Sequence, residues 1–322
     1  MEKIMKLDKY TLMSIPLLLI LPYIFPNQYF VQILDLIGIF ILLGTGLNIL
    51  AGYTGQVSLG HAAFYGIGAY TSALLNVNFG LSFLVTFPIA ILITAVFGVV
   101  LAIPALKVKG SYLALLTIGF GEVTRMVMVN WTEVTRGPAG IVGIKSPDIL
   151  GFQFDTLESY YYLILLFVVL GTLYQKILIH SRTGRAFIAI KEDEKAAELI
   201  GINITKYKIM SFVISAVYSA IAGVLYAHMT NYVSPDSFSA YDSSVILWIV
   251  SIGGLGSLSA PIWGSIVVAI LPEALRGLGD FRLVIYGVTL VIVIMYYPGG
   301  LSKYMGLFGV YLKQKVTTGK AG

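Results

Sequence analysis

Long apolar blocks alternate with short polar or glycine-rich turns along the whole chain. The blocks fall near 11–30, 32–51, 57–76, 82–104, 111–130, 160–179, 208–229, 243–258, 261–275 and 283–298. Most approach the roughly 20 residues that carry an α-helix across a bilayer core. No water reaches that core, so each backbone amide must find its partner inside the protein, and blocks of this length are read as helices. The short alternating segments of a transmembrane barrel are absent. Two blocks, 57–76 and 243–258, are interrupted by glycines and polar side chains and are candidates for half-helices or re-entrant segments. The pattern predicts an all-α membrane protein, a polytopic bundle of eight to ten transmembrane helices. A single membrane domain is expected over residues 1–303, with a cytoplasmic tail over 304–322.

Composition agrees. Hydrophobic residues make up 57% of the 322 and charged residues 11%, under half the ~25% usual in soluble domains. Mean hydropathy is +0.87. The chain has no cysteine, which removes disulfides, thiol nucleophiles and thiolate metal sites. The start, with Lys3, Lys6 and Lys9 ahead of an apolar run, is built like a signal peptide but has no small-residue cleavage site before Asn27 and Gln28, so an uncleaved first span is expected. Basic residues then orient the chain. The N-terminus, Lys107, Lys109, the segment 180–208 and the C-terminal lysines from Lys303 to Lys320 fall on the cytoplasmic side, and the acidic loop 131–159 outside. Arg276 and Arg282 are the exceptions, lying outside. The net charge of +5 follows this pattern and gives no reason to expect nucleic acid.

Candidate chemistry is sparse. The run GYTGQVSLGHAAFYGIGAYTSALL, Gly52 to Leu75, has small residues, one histidine and no Lys, Arg, Asp or Glu. It predicts close helix contact, with Gly60, Gly66 and Gly68 as packing positions. His61 either hydrogen-bonds across that contact or lines a pathway. Ser215, Ser219, Gly223 and Ala227 form a second small-residue stripe, and Gly256, Ala260 and Gly264 a third, each able to face a helix of the same chain or of another. Polar side chains within spans are costly and mark candidate function. Glu122 and Arg125, three apart, are read as a neutralising or gating pair. Asn48 joins them as a pathway candidate, whereas Asp35 is expected near the outer boundary, wetted. Tyr160, Tyr161, Tyr162, Tyr296 and Tyr297 suit the interfacial belt. The three histidines, His61, His180 and His228, are too scattered for a metal site, and no catalytic residue is evident.

The most polar stretch is His180 to Lys208. Within it Asp193 is placed to cap a short helix through Ala196, Ala197, Glu198 and Leu199 that stops at Gly201. Ala197 and Ile200 are expected on one side of it, Lys195 and Glu198 on another. This segment is either a docking element for a soluble partner or a plain solvated loop.

Four runs now carry a resemblance: Gly52 to Leu75; GSYLALLTIGFGEVTRMVMVNWTEVTRGPAGIVGI from Gly110; GRAFIAIKEDEKAAELIGI from Gly184; and WIVSIGGLGSLSAPIWGSIVVAILPEALR from Trp248. In this order they resemble the LivM-type permease subunits of branched-chain amino acid ABC importers, over residues 44–276 or so. The resemblance implies a fold like the importer permeases of the cobalamin and ribose type, a multi-pass location in a bacterial or archaeal cell membrane, and passage of leucine, isoleucine or valine. It also implies that Gly184 to Gly201 is the coupling loop for an ATPase, with Gly184, Arg185, Glu192, Asp193, Glu194, Ala196, Ala197, Glu198 and Gly201 as its residues. Many such permeases have Glu-Ala-Ala where this chain has Lys195-Ala196-Ala197. The implied partners are a second permease subunit, two ATPase subunits holding ATP and magnesium, and an extracytoplasmic binding protein. The chain itself has no G-x-x-x-x-G-K-[ST] loop. A urea, amide or other amino-acid permease is the alternative within the family. An ion-coupled secondary transporter would need more intramembrane carboxylates than Glu122, Asp242 and Glu273.

Overall fold

The computed structural model describes residues 19–22, 27–149, 151–278, 281–296 and 299–303. Most of the first apolar block, the N-terminal lysines, Tyr297 and the tail 304–322 lie outside the described residues. Every later block has a helical counterpart. Helix α1, Gln28–Leu47, is capped by Asn27 and runs into a six-residue π-helix, Asn48–Tyr53. It is followed by α2 His61–Phe79, α3 Phe83–Ala105, α4 Ser111–Asn130 and the four-residue α5 Thr132–Thr135. Helix α6 covers Leu157–His180, α7 Arg182–Glu192, α8 Glu194–Leu199 and α9 Ile204–Thr230. The chain continues through α10 Ala240–Gly253, α11 Ala260–Ala274 and α12 Phe281–Tyr296. Among the described residues five helices are long and apolar enough to cross a membrane: α1 with its π-helix, α3, α4, α6 and α9.

The two interrupted blocks resolve differently. Helix α2 is continuous and almost wholly buried, and the irregular stretch 54–60 precedes it. In contrast, the block 243–258 is interrupted as its glycines suggest: its helix ends at Gly253 and the chain turns back into α11. At 1.5 Å per residue α10 and α11 are each only about 21–23 Å long, short of the ~30 Å core. They form a tight hairpin: a methyl group at Gly253 would strike the Ala260 carbonyl, and one at Gly264 the Ile249 carbonyl. Gly256 therefore lies in the hairpin turn with φ +85°, and not on the packing face of a helix.

The core is built on α9. Its stripe of Ser215, Ser219, Gly223 and Ala227 is buried within this chain, chiefly against α2. A methyl at Gly68 would lie 2.6 Å from Ala220 Cα, and one at Gly223 would strike the Tyr65 carbonyl. Apolar helices gain little from hydrophobic exclusion inside lipid, so such close backbone approach and the dispersion it brings hold the pair together. Around this seam, α1 packs against α6, α9, α10 and α11, and α3 against α2 and α9.

Two expectations fail here. Asp35 is fully buried near Tyr160 and Tyr161 of α6, and neither carboxylate oxygen has a hydrogen-bond partner among the described residues. Tyr160 and Tyr161 are likewise buried, and the Tyr160 hydroxyl donates to the Leu225 carbonyl at 2.6 Å, serving helix packing in place of an interfacial belt. Tyr296 is exposed.

The helices alternate between two ends. At one end residues 54–60, 106–110, 181–203, 254–257 and 299–303 meet, and this end is rich in lysine. At the other, the strands Ile141–Val142 (β1) and Tyr232–Val233 (β4) pair antiparallel, with the small hairpin Asp148–Ile149 (β2) and Phe152–Gln153 (β3) beside them.

Candidate coupling and translocation site

At the lysine-rich end the polar segment folds as two helices. The Ser181 side chain accepts from the amides of Thr183 and Gly184, starting α7. A methyl at Gly184 would strike the backbone of Ile179, so only glycine allows the chain to double back from α6 here. Helix α7 buries Ala186, Phe187 and Ile190 and leaves Arg185 and Glu192 in solvent. Asp193 ends α7 and caps α8, its carboxylate accepting from the amides of Lys195 (2.8 Å) and Ala196 (3.1 Å). Helix α8 closes at Gly201, whose φ of +84° disfavours other residues, with the Ile202 amide donating to the Ala197 carbonyl at 3.0 Å.

Ala197 is buried under α8, whereas Ala196 and Glu198 face outward. Ile200 does not share the side of Ala197: it follows the last helical residue and is 76% exposed, beside Leu199 at 88%. A pair of apolar side chains in water thus projects from a rigid turn. Below it, Glu194 forms ion pairs with both Lys109, from the α3–α4 connection, and the buried Lys208 of α9.

A second set of bonds joins this segment to the membrane helices. Lys191 Nζ donates to the Gly52 carbonyl at 2.8 Å, at the end of the π-helix. Asn48, at its start, donates from Nδ2 to the Ser257 carbonyl (2.7 Å) and accepts at Oδ1 from the Gly256 amide (2.9 Å). Both ends of the Asn48 amide are taken within the protein and the residue is fully buried, so it braces the hairpin turn. A cleft of about 410 Å³ opens beside these groups, bordered by Gln56, Lys109, Lys191, Glu194 and Lys208.

His61 is also buried, its Nε2 hydrogen-bonded to Ser215 Oγ at 2.5 Å across the α2–α9 seam, and its Nδ1 has no partner. The glycines before and after it mark close approaches. A methyl at Gly60 would strike the Thr117 carbonyl, and one at Gly66 would lie 2.9 Å from Phe238 Cγ.

Helix α4 behaves otherwise. Much of its surface is uncovered, and a methyl at Gly119 would meet nothing within 4 Å. Glu122 and Arg125 sit on this helix with side chains 39% and 32% exposed. They are 3.9 Å apart, but Arg125 has a closer partner in Asp236 at 3.0 Å, so among the described residues Glu122 is left with only a distant cation. A half-exposed carboxylate midway along a membrane helix needs water or protein opposite it, since lipid would not stabilise it. Among the described residues no group of three His, Asp or Glu side chains could hold a metal ion.

Sequence comparison gives this arrangement its context. The model of the permease component of branched-chain amino acid transport systems matches residues 29–294. The chain belongs to that family. LivM, the high-affinity branched-chain amino acid transport system permease protein of Salmonella typhimurium, is 37% identical over 294 residues, which cover 84% of this chain and 69% of LivM. LivM of Escherichia coli matches with the same identity and coverage. LivH of Salmonella typhimurium, the other permease protein of that name, is 24% identical over 286 residues, 81% of this chain and 90% of LivH. No solved structure matches the chain. This permease is therefore a multi-pass helical membrane protein of a branched-chain amino acid transport family.

The residues brought together at its lysine-rich end include several that sequence reasoning passed over. Lys191, Lys109 and Gln56 carry no signal of their own, because their partners lie far along the chain. Lys208 did carry one: a lysine at the start of an apolar run has to find a counter-ion if it is buried.

Proposed function

We propose that this permease forms half of a passage for leucine, isoleucine and valine in an importer driven by ATP. The observation that carries the reading is α8, capped by Asp193, held from below by Glu194, and presenting Leu199 and Ile200 to solvent. A rigid, exposed apolar turn at the edge of a membrane domain suits a soluble protein partner. The partners are two ATPase subunits, which supply ATP and magnesium; this chain has no G-x-x-x-x-G-K-[ST] loop. The permease has no catalytic site of its own.

The lysine-rich end is cytoplasmic, as positive charge in short loops directs, and both termini lie on that side of a bacterial or archaeal cell membrane. The uncovered face of α4 meets a second, related permease chain, and the passage runs between them past Glu122 and Arg125. Similarity to both LivM and LivH supports pairing with a related but different chain. An extracytoplasmic binding protein delivers the amino acid to the acidic end. A path with few charges holds a zwitterion weakly, which favours release.

The test is uptake of labelled leucine and of labelled urea into vesicles containing the permease with its co-purifying partners and binding protein. Leucine accumulation that requires ATP is the expected result. Accumulation of urea alone would change the substrate, and uptake indifferent to ATP would remove the ATP-driven reading.

A further inference from the structure

Three elements distant in sequence are joined at the cytoplasmic end through one half-buried knot. Its centre is the π-helix Asn48–Tyr53, a rare form that recurs at functional sites in helices. Lys191 lies in the last turn of α7, two residues before the Asp193 cap of α8, so a displacement of α8 reaches it directly. Its aliphatic stem runs past Gly55, where a methyl would be 3.2 Å from Cγ. Its ammonium group ends on the Gly52 carbonyl, 3.5 Å from where a methyl on Gly256 would stand.

Glycine makes this slot. A methyl at Gly52 would strike Asn48 Oδ1 and lie 2.6 Å from the Gly256 amide nitrogen, which removes the room the Asn48 bridge occupies. Gly55 and Gly256 both have positive φ, +75° and +85°. From this knot Asn48 reaches the backbone of Gly256 and Ser257, the inner turn of the α10–α11 hairpin. The hairpin is too short to be held by lipid on both sides, and its turn leaves Leu255 46% exposed.

We propose that Lys191 and Asn48 are positioning residues for transport: Lys191 draws on the end of α1 through the Gly52 carbonyl, and Asn48 passes that movement to the turn at Gly256 and Ser257, so that the turn moves with the ATP-driven cycle. The inference rests on the ATP-driven reading above. Coupling of this kind needs a contiguous set of contacts that both ends can bias, and these bonds provide one. A brace with no part in coupling would make the same bonds but would not make the turn respond to ATP.

The absence of cysteine allows a direct test. In the assembled complex carrying Leu255→Cys, labelling of this chain by a membrane-impermeant maleimide is followed with and without ATP trapping, and leucine uptake and ATP hydrolysis are measured on the same preparation. The labelling rate is expected to change on trapping. Lys191→Met is expected to abolish that change and to lower the leucine taken up per ATP hydrolysed by about fivefold or more, the size of typical coupling between linked sites. Lys191→Arg, which retains a donor of similar reach, recovers part of both. Asn48→Asp keeps the acceptor for Gly256 and loses the donor to Ser257, and is expected to behave like Lys191→Met; it serves if Lys191→Met does not assemble. A change in labelling that survives both Lys191→Met and Asn48→Asp would overturn the proposal, as would a turn that never responds to ATP in a complex that transports leucine. A complex that takes up no leucine with ATP would instead refute the transport reading itself.

Discussion

Helices α9 and α4 are both long, apolar and dotted with small and polar residues, yet one is the centre of the permease and the other stands at its edge. Each glycine facing the α9 seam is matched by a neighbouring backbone: Gly68 by Ala220, Gly223 by Tyr65. On α4, Gly119 faces open space and Gly121 meets only Gly60 Cα at 3.8 Å. Polar residues follow the same division. Ser215 on α9 is used up by His61, whereas Glu122 on α4 has only the 3.9 Å approach to Arg125. Small and polar residues in a span thus have two meanings, a completed contact within the chain or a surface awaiting something outside it. Only the neighbours tell them apart.

Substitutions on the two helices sharpen that difference. The largest effect is expected at the seam, where Gly223→Leu must push α2 and α9 apart; overpacking with no flexible side chain to yield costs about 3 kcal/mol or more. Thermal unfolding in detergent measures it, and an unshifted midpoint would mean that the helices are not this close. Ser215→Ala leaves buried His61 without its partner and should destabilise by about 1–3 kcal/mol in the same assay. On α4, Glu122→Gln is expected to leave unfolding unchanged and to slow leucine uptake roughly tenfold, equivalent to about 1.4 kcal/mol of barrier. Equal uptake by this variant would place the passage elsewhere. The smallest effect on stability belongs to Gly119→Leu, within about 0.5 kcal/mol for the isolated chain as for other surface changes. Co-purification with a second permease should nevertheless fall in that variant, since the added side chain fills the face assigned to the partner.

Local features were legible in the residues. Asp193 in front of an alanine-rich stretch ending at Gly201 specified α8 closely, because capping and left-handed termination depend on residues within one turn. The apolar blocks likewise located the long helices α1, α2, α3, α4, α6 and α9 and the shorter α10, α11 and α12, but not α5 or α7. Misreadings arose where burial was at stake. Asp35 looked wettable from its place near a span end, and the packing of the bundle buries it. Tyr160 and Tyr161 matched an interfacial pattern, but both are buried, and Tyr160 bonds to α9. Gly256 matched a small-residue stripe that the hairpin turn interrupts.

The candidate site divides along the same line. The segment Gly184 to Gly201 could be picked out because it is polar between two apolar runs, a property of composition. Lys191 at Gly52, Asn48 at Gly256 and Ser257, and Lys109 at Glu194 could not, since each joins residues at least 85 positions apart.

By itself the sequence determined that this protein crosses a membrane as helices, where most of those helices lie, how α8 begins and ends, and which family it belongs to. These follow from hydropathy, local backbone preference and motif order, all carried by neighbouring residues. The tertiary structure alone decided which small residues are already covered, which polar groups are satisfied, and how the polar segment 180–208 reaches the hairpin turn. Those depend on side chains meeting across helices, and the geometry of such meetings is set by the packing of the whole bundle.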